Sequence, residues 1–307
     1  MSDPVSLPAL PAESDLPDGA EIGALIRHIP GKRRIHAGTW QGRDAIFRLA
    51  TPETAEMQAR EWREACRIWP YMQGARFRVA EPLAHLPDQR LMVMERAPGT
   101  PLLQWLWRAE PEARSAALAP AALWLRRYTE VSEGWTRATP EGWRARAARS
   151  ARTQPHARLR RIESAILAAL APLAQRLDGA EWRVAVCHGD FHPNNLLRDG
   201  ARLTGIDTGS SARMPVCKDI ARFLMHLARR GMVPSGEIWC GVDAGLAAAF
   251  AETFALSETE RHGVLPFFLG VEALLRVETE SIKPRRLRLA EAVYAALRDD
   301  LERLTGA

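Results

Sequence analysis

His188-Gly189-Asp190-Phe191-His192-Pro193-Asn194-Asn195-Leu196-Leu197, followed by Gly205-Ile206-Asp207, is the stretch on which the reading of this chain turns. It sets an acid, an amide and a second acid along the backbone, with Asn195 five positions after Asp190 and Asp207 twelve positions after Asn195. That second interval is enough for a short hairpin. Asn195-Leu196-Leu197-Arg198 reads as a strand, Asp199-Gly200 as a type I′ turn, and Arg202-Leu203-Thr204-Gly205-Ile206 as the returning strand. Such a hairpin turns the three polar side chains toward one cleft.

The trio suits phosphoryl transfer. Moving a phosphoryl group requires Mg²⁺ held between phosphates and hard oxygen ligands, while one carboxylate stays available to orient the attacking hydroxyl. In the protein-kinase pattern the catalytic-loop Asp is followed five positions later by a metal-binding Asn, and a further strand ends in a second metal-binding Asp. Across residues 188–224, taking in Lys218-Asp219-Ile220-Ala221-Arg222-Phe223-Leu224, the sequence resembles the aminoglycoside phosphotransferase and choline kinase superfamily. A weaker likeness runs back to about residue 30 and includes Leu91-Met92-Val93-Met94-Glu95-Arg96-Ala97-Pro98-Gly99, which looks like the hinge between two lobes.

The resemblance implies an α+β, two-lobed protein-kinase-like fold: a small N-terminal lobe with an antiparallel sheet and a larger, mainly helical C-terminal lobe. It also implies ATP and Mg²⁺ as cofactors, Asp190 as catalytic base, Asn195 and Asp207 as magnesium ligands, and Met94, Glu95, Arg96 and Ala97 as the segment that receives the adenine. The expected divisions are a flexible leader over 1–20, a nucleotide-binding lobe over 21–96 and a catalytic and substrate-binding lobe over 97–307. Asp219 either bonds the catalytic-loop backbone or caps a helix beginning near Ile220.

The small lobe departs from the kinase pattern. Arg34 to Gly38 and Asp44 to Leu49 flank a turn at Trp40 to Gly42, and a helix runs from Thr51 to Ile68. The lysine expected on the third strand is Arg48 here, which keeps the charge but exchanges a compact ammonium for a planar fork. Only three lysines, Lys32, Lys218 and Lys283, stand among the 42 basic residues, so the exchange fits a general preference for arginine. Glu61, with Glu64 as the second choice, is the helix partner expected for Arg48. Gly31 and Lys32, in Pro30-Gly31-Lys32-Arg33-Arg34, form the expected phosphate loop, although a single glycine replaces the usual glycine series.

At 307 residues the chain can bury a core without staples, and Cys66, Cys187, Cys217 and Cys240 show no paired spacing, which points to a reducing cytoplasm. The N-terminus lacks the basic start and apolar run of a signal peptide, and no apolar run reaches the roughly twenty residues of a membrane span. The net charge of +5 is concentrated in Arg144, Arg146, Arg149, Arg152, Arg158, Arg160 and Arg161 and in Lys283, Arg285, Arg286 and Arg288. Those clusters fit an anionic small molecule or glycan, or peripheral contact with acidic headgroups; no nucleic-acid module accompanies them. Two other functions stay open. His188, Asp190 and His192 would share one face of an extended strand and could bind a catalytic metal for hydrolysis, with Asp207 completing the site, and Arg48 with the thin glycine loop suits a pseudokinase that binds nucleotide without turnover.

Overall fold

A computed structural model of the chain describes residues 16–306. The expected leader lies, over residues 1–15, outside the described residues. The chain forms two compact units: one runs through Pro101 and also contains Asn195–Ser211, and the other comprises Leu102–Asn194 and the chain from Ala212 onward.

The first unit is built on a five-stranded antiparallel sheet. Its strands are β1 (Ala20–Ile29), β2 (Arg33–Trp40), β3 (Arg43–Ala50), β5 (Pro82–Leu86) and β6 (Leu91–Glu95), in the order β1-β2-β3-β6-β5. The β2–β3 turn is Gln41-Gly42, with φ of 51° and 75°, so both central residues take the left-handed conformation of a type I′ hairpin. Alternation places Ala45, Phe47 and Leu49 on one face of β3, where they pack with Trp40, Leu91 and Val93 into the core. Arg48, by the same period, points to the other face. Along α1 (Ala55–Ile68) the buried residues are Gln58, Glu61, Ala65 and Ile68, one helical stripe. The helix expected from Thr51 opens instead with a separate 3₁₀ turn over Pro52–Thr54, fastened by the Thr51 N–H to the Thr54 Oγ1 at 3.1 Å.

A second sheet in this unit has the order β4-β11-β10-β7, from β4 (Phe77–Val79), β7 (Thr100–Pro101), β10 (Leu196–Asp199) and β11 (Arg202–Gly205). The hairpin expected after Asn195 is therefore present, but its turn sits one residue later. Asp199 pairs with Arg202, which makes Gly200-Ala201 the loop, and of these only Gly200 has a positive φ, at 56°. A type I′ turn needs positive φ at both positions, whereas a glycine-led type II′ turn needs it only at the first.

The second unit pairs a three-stranded antiparallel sheet, β8 (Gly134–Arg137), β9 (Glu181–Cys187) and β12 (Ala212–Pro215), with the helices α2 (Leu102–Arg108), α3 (Pro111–Glu130), α4 (Pro140–Ala151), α5 (Ala157–Leu177), α6 (Val216–Ala228), α7 (Ala244–Thr253), α8 (Leu265–Leu275) and α9 (Pro284–Thr305). A short ribbon, β13 (Ile238–Trp239) with β14 (Val242–Asp243), precedes α7. Every residue of α6 is buried, so this helix is the axis of the unit. Trp124, Tyr128, Phe191, Phe223 and Phe250 fill the space beside it. Among the described residues no helix is long and apolar enough to cross a membrane.

One buried acid outside the site carries a pH dependence. Glu163 on α5 is 1% exposed; its Oε1 accepts from the Gln154 Nε2 at 2.8 Å, and its Oε2 has no hydrogen-bond partner. Burial raises its pKa from 4.5 to about 7, against the smaller opposing pull of Gln154 and Arg229. The folded state thus holds a proton that the unfolded state releases between those values, so stability falls as pH rises through this window and levels off above it. The full effect is at most about 3 kcal/mol. Glu163→Gln should flatten the pH dependence of urea unfolding between pH 5 and 7 and stabilise the protein at pH 8; an unchanged slope would contradict this origin.

Candidate active site

The first unit assembles a charged centre from three separate segments. Arg48 is buried, and its two terminal nitrogens divide between two acids: Nη1 donates to Glu61, and Nη2 donates to the Asp207 Oδ1 at 2.9 Å. Arg33, at the start of β2, reaches the same pair, with Nη1 3.3 Å from the Glu61 Oε2 and Nη2 3.8 Å from the Asp207 Oδ1. Burial works against the charge on Arg48, but Glu61 and Asp207 outweigh it and raise its pKa. Glu61 faces Arg48 because it belongs to the buried stripe of α1. Glu64 lies off that stripe and pairs with Arg67 at 2.7 Å.

Asn195 and Asp207 bracket the hairpin. Asn195 ends a 3₁₀ turn over Pro193–Asn195 and is 8% exposed, and its carbonyl accepts from the Ile206 N–H at 3.0 Å. That bond closes the ladder beyond the Leu196–Gly205 pair and sets Asp207 next to Asn195 in the fold. Asp207 has φ 63° and ψ 51°, a left-handed conformation that a non-glycine residue adopts at a cost, and it presents a side chain 42% exposed. Gly209 follows closely: a Cβ there would lie 2.7 Å from the Glu61 Oε2, so only glycine lets Glu61 stay where it meets Arg48. An amide oxygen and a carboxylate are hard donors of the kind a magnesium ion takes.

The remaining nucleotide-side expectations fall in the same unit. Pro30-Gly31-Lys32 connects β1 to β2, with Gly31 at φ 67° and the Lys32 N–H donating to the Ile29 carbonyl at 3.0 Å. The Lys32 carbonyl accepts from the Thr51 N–H at 3.1 Å and the Thr54 Oγ1 at 2.6 Å, which ties this loop to the start of the helix. Met94 and Glu95 end β6. The Glu95 N–H donates to the Glu81 carbonyl at 2.8 Å and the Arg96 N–H to the Asp44 carbonyl at 3.1 Å, so these two amides are already engaged. The Glu95 carboxylate takes Arg78 and the Glu81 N–H, the latter at 3.0 Å.

Asp190 belongs to the second unit. After β9 the chain leaves the strand at Cys187, and Gly189 takes φ 81°. The alternation that would put His188, Asp190 and His192 on one face is therefore broken, and the three-ligand hydrolase arrangement does not form. His188 is instead fully buried, its ring 6.1 Å from Trp124, 6.0 Å from Tyr128 and 6.1 Å from Phe191. Among the described residues no three His, Cys, Asp or Glu side chains are grouped to hold an ion. Asp219, fully buried, accepts the Gly189 N–H at 3.1 and 3.2 Å through its two oxygens. It lies inside α6, which begins at Val216, so the capping alternative does not apply.

The Asp190 Oδ1 accepts from the Arg222 Nε at 3.0 Å and Nη2 at 2.8 Å, and its Oδ2 lies 3.4 Å from the His192 Nε2. Burial alone would raise this carboxyl; His192 and Arg222 together override it and hold the group well below the usual carboxylate range. Arg222, like Arg33 and Arg276, is a residue that sequence reasoning missed. Its only local signal is its place three positions after Asp219 on the same helix. Of the first basic cluster, Arg146, Arg149, Arg152, Arg158, Arg160 and Arg161 are exposed on α4, α5 and the loop between them.

The family model described as "Phosphotransferase enzyme family" matches residues 31–261. A search of curated protein sequences returned no match. Among solved structures, an aminoglycoside phosphotransferase is 17% identical, with a TM-score of 0.55 over 94% of this chain and 95% of its own. A microcompartment-associated aminopropanol kinase is 15% identical, with a TM-score of 0.54 over 94% and 93%. A choline/ethanolamine kinase family protein from Mesorhizobium loti is 16% identical, with a TM-score of 0.53 over 91% and 88%. At these identities the likeness shows the two-lobed kinase-like fold.

Proposed function

Because the chain belongs to the phosphotransferase enzyme family, we propose that it moves the γ-phosphoryl group of ATP to a hydroxyl of a small molecule or glycan. The observation that carries this reading is the Arg48–Glu61–Asp207 arrangement beside Asn195, which gives one cationic group and two hard oxygen donors in the unit assigned to the nucleotide. In the step itself, the acceptor oxygen forms a bond to the γ-phosphorus, the bond to the β-bridging oxygen breaks, ADP leaves, and the hydroxyl proton passes to Asp190. Asn195 and Asp207 are the residues that would hold Mg²⁺, which supplies charge neutralisation to the phosphates. Arg48, fixed by Glu61, positions the phosphates with help from Lys32 and the Gly31 turn. The segment from Met94 to Ala97 is assigned to the adenine, residues 21–96 to nucleotide binding, residues 97–307 to catalysis and acceptor binding, and the cytoplasm is the proposed compartment.

Calorimetric titration of ATP with and without Mg²⁺ tests the assignment. Wild type should bind in a magnesium-dependent way and Asp207→Ala should lose that dependence, with an affinity drop of at least tenfold, about 1.4 kcal/mol. Absence of binding by wild type would overturn the reading. A second reading, nucleotide binding with little turnover, draws on the bond from Arg48 to the Asp207 Oδ1, which competes for an oxygen the metal would use. Magnesium-dependent ATP binding without product from any acceptor would favour it.

A further inference from the structure

The charge surplus that matters lies beside Asp190. Arg222 and His226 stand four residues apart on one face of α6, and Arg230 follows in the turn just after the helix. Arg222 grips Asp190. His226 stacks on His192 with ring centroids 4.5 Å apart. Arg230 donates its Nη1 to the His226 carbonyl at 2.8 Å, and among the described residues no carboxylate lies within ion-pair distance of it.

Charges nearby cancel in pairs, and three do not. Lys218 sits 3.2 Å from Glu272, Arg229 bonds Glu278, and Arg222 is matched by Asp190. Arg276 only shares acids already matched, at 3.6 Å from Glu272 and 3.7 Å from Asp190. Arg286, exposed on α9, has no carboxylate within ion-pair distance among the described residues. Arg230, Arg276 and Arg286 remain in excess.

Two of the three feel the surrounding cations. The Arg230 guanidinium is drawn down to about 10, by burial first and then by Arg286, Arg229 and Arg222. Burial and Arg222 also lower Arg276, with Glu272 and Asp190 opposing. His226 is kept neutral by burial first and then by Arg230, with Arg222 and Arg229 adding to it. Its Nε2 is buried without a hydrogen-bond partner although the residue is only 6% exposed, and the Arg276 Nε is in the same condition. Arg230, half-buried without an acid, and Arg276, which only shares acids already matched, are poised for an oxyanion, which a planar fork meets through paired N–H donors.

Resting on the assignment of Asp190 as the base, we propose that the phosphoryl acceptor is a small hydroxyl compound that already carries a phosphate group, docked on Arg230, Arg276 and Arg286 while its hydroxyl meets Asp190. A cationic amino sugar or amino alcohol would be repelled by this face. The test uses the full chain saturated with AMP-PNP and Mg²⁺, so that the nucleotide's own phosphate positions are filled, and titrates inorganic phosphate calorimetrically at constant ionic strength. Wild type should bind one phosphate. Arg230→Gln with Arg286→Gln should weaken that binding at least tenfold, Arg230→Lys should retain most of it, and Arg158→Gln with Arg160→Gln should leave it unchanged. AMP-PNP binding by each variant certifies its fold. No phosphate binding by AMP-PNP-loaded wild type, or equal affinity in all variants, would overturn the proposal. Failure of AMP-PNP to bind wild type would overturn the phosphotransferase reading beneath it.

Discussion

Asp190→Asn is expected to lower phosphoryl transfer by about 10²- to 10⁴-fold, the range a positioned general base contributes, while ATP affinity stays at the wild-type level. The amide oxygen of Asn can still accept the two Arg222 bonds that Asp190 receives at 3.0 and 2.8 Å, so the loop should keep its shape and lose only its proton acceptor. The tight grip has a chemical corollary. A carboxylate held well below its usual range is a weak base, so in the proposed reaction Asp190 would work mainly by orienting the hydroxyl and would take the proton late, as a loose metaphosphate-like transition state allows. Activity should therefore show no acid-side loss from Asp190 across the ordinary carboxylate range. Product formation measured by coupled assay from pH 4.5 to 8, alongside ATP titration, checks both statements; turnover by the Asn variant near the wild-type rate would remove Asp190 from its role.

The largest expected effect on stability belongs to Arg48→Met. Glu61 is 4% exposed and burial already raises its carboxyl, so removing Arg48 leaves a buried acid with Arg33, whose side chain is 27% exposed, as its remaining cation. Breaking a buried pair from one side costs about 3–5 kcal/mol. Asp207 loses its 2.9 Å bond in the same step, so nucleotide affinity should fall with stability. Urea unfolding and ATP titration measure the two losses. The double variant Arg48→Met with Glu61→Met should recover much of the stability and none of the nucleotide binding, because the orphan charge is gone and the phosphate contact is not restored. Equal stability of Arg48→Met and wild type would show that the pair holds nothing in place.

What could be read in the sequence followed local periodicity. Leu196 to Gly205 alternates and breaks at a glycine, so the hairpin was legible; the turn moved by one residue because strand register, which pairs Asp199 with Arg202, is decided by neighbouring strands as well as by the Asp-Gly dipeptide. Choosing Glu61 over Glu64 depended on which side of α1 meets β3, and the 58–61–65–68 stripe carries that answer. The alternating His188, Asp190 and His192 misled because Gly189 turns the backbone out of the strand. Arg33, Arg222 and Arg276 had no signal of the same kind. Their partners lie on other elements, such as Glu61 28 positions from Arg33 and Asp190 32 positions from Arg222, and no period in a single chain marks a long-range ion pair.

The hairpin that carries Asn195 and Asp207 also dictates the order in which a growing chain can finish itself. Its strand β11 lies parallel to β4, Leu203 beside Phe77 and Gly205 beside Val79, although the whole stretch 102–194 is made in between. Until the ribosome has delivered Gly205, β4 has an open edge inviting pairing with a neighbouring chain, and closing so long a loop is slow. The two residues assigned to the metal emerge with the strand that closes that edge. A nascent chain thus completes the proposed metal-binding pair only as its first unit becomes complete, and an interrupted product ending before β11 would carry Asn195 without Asp207.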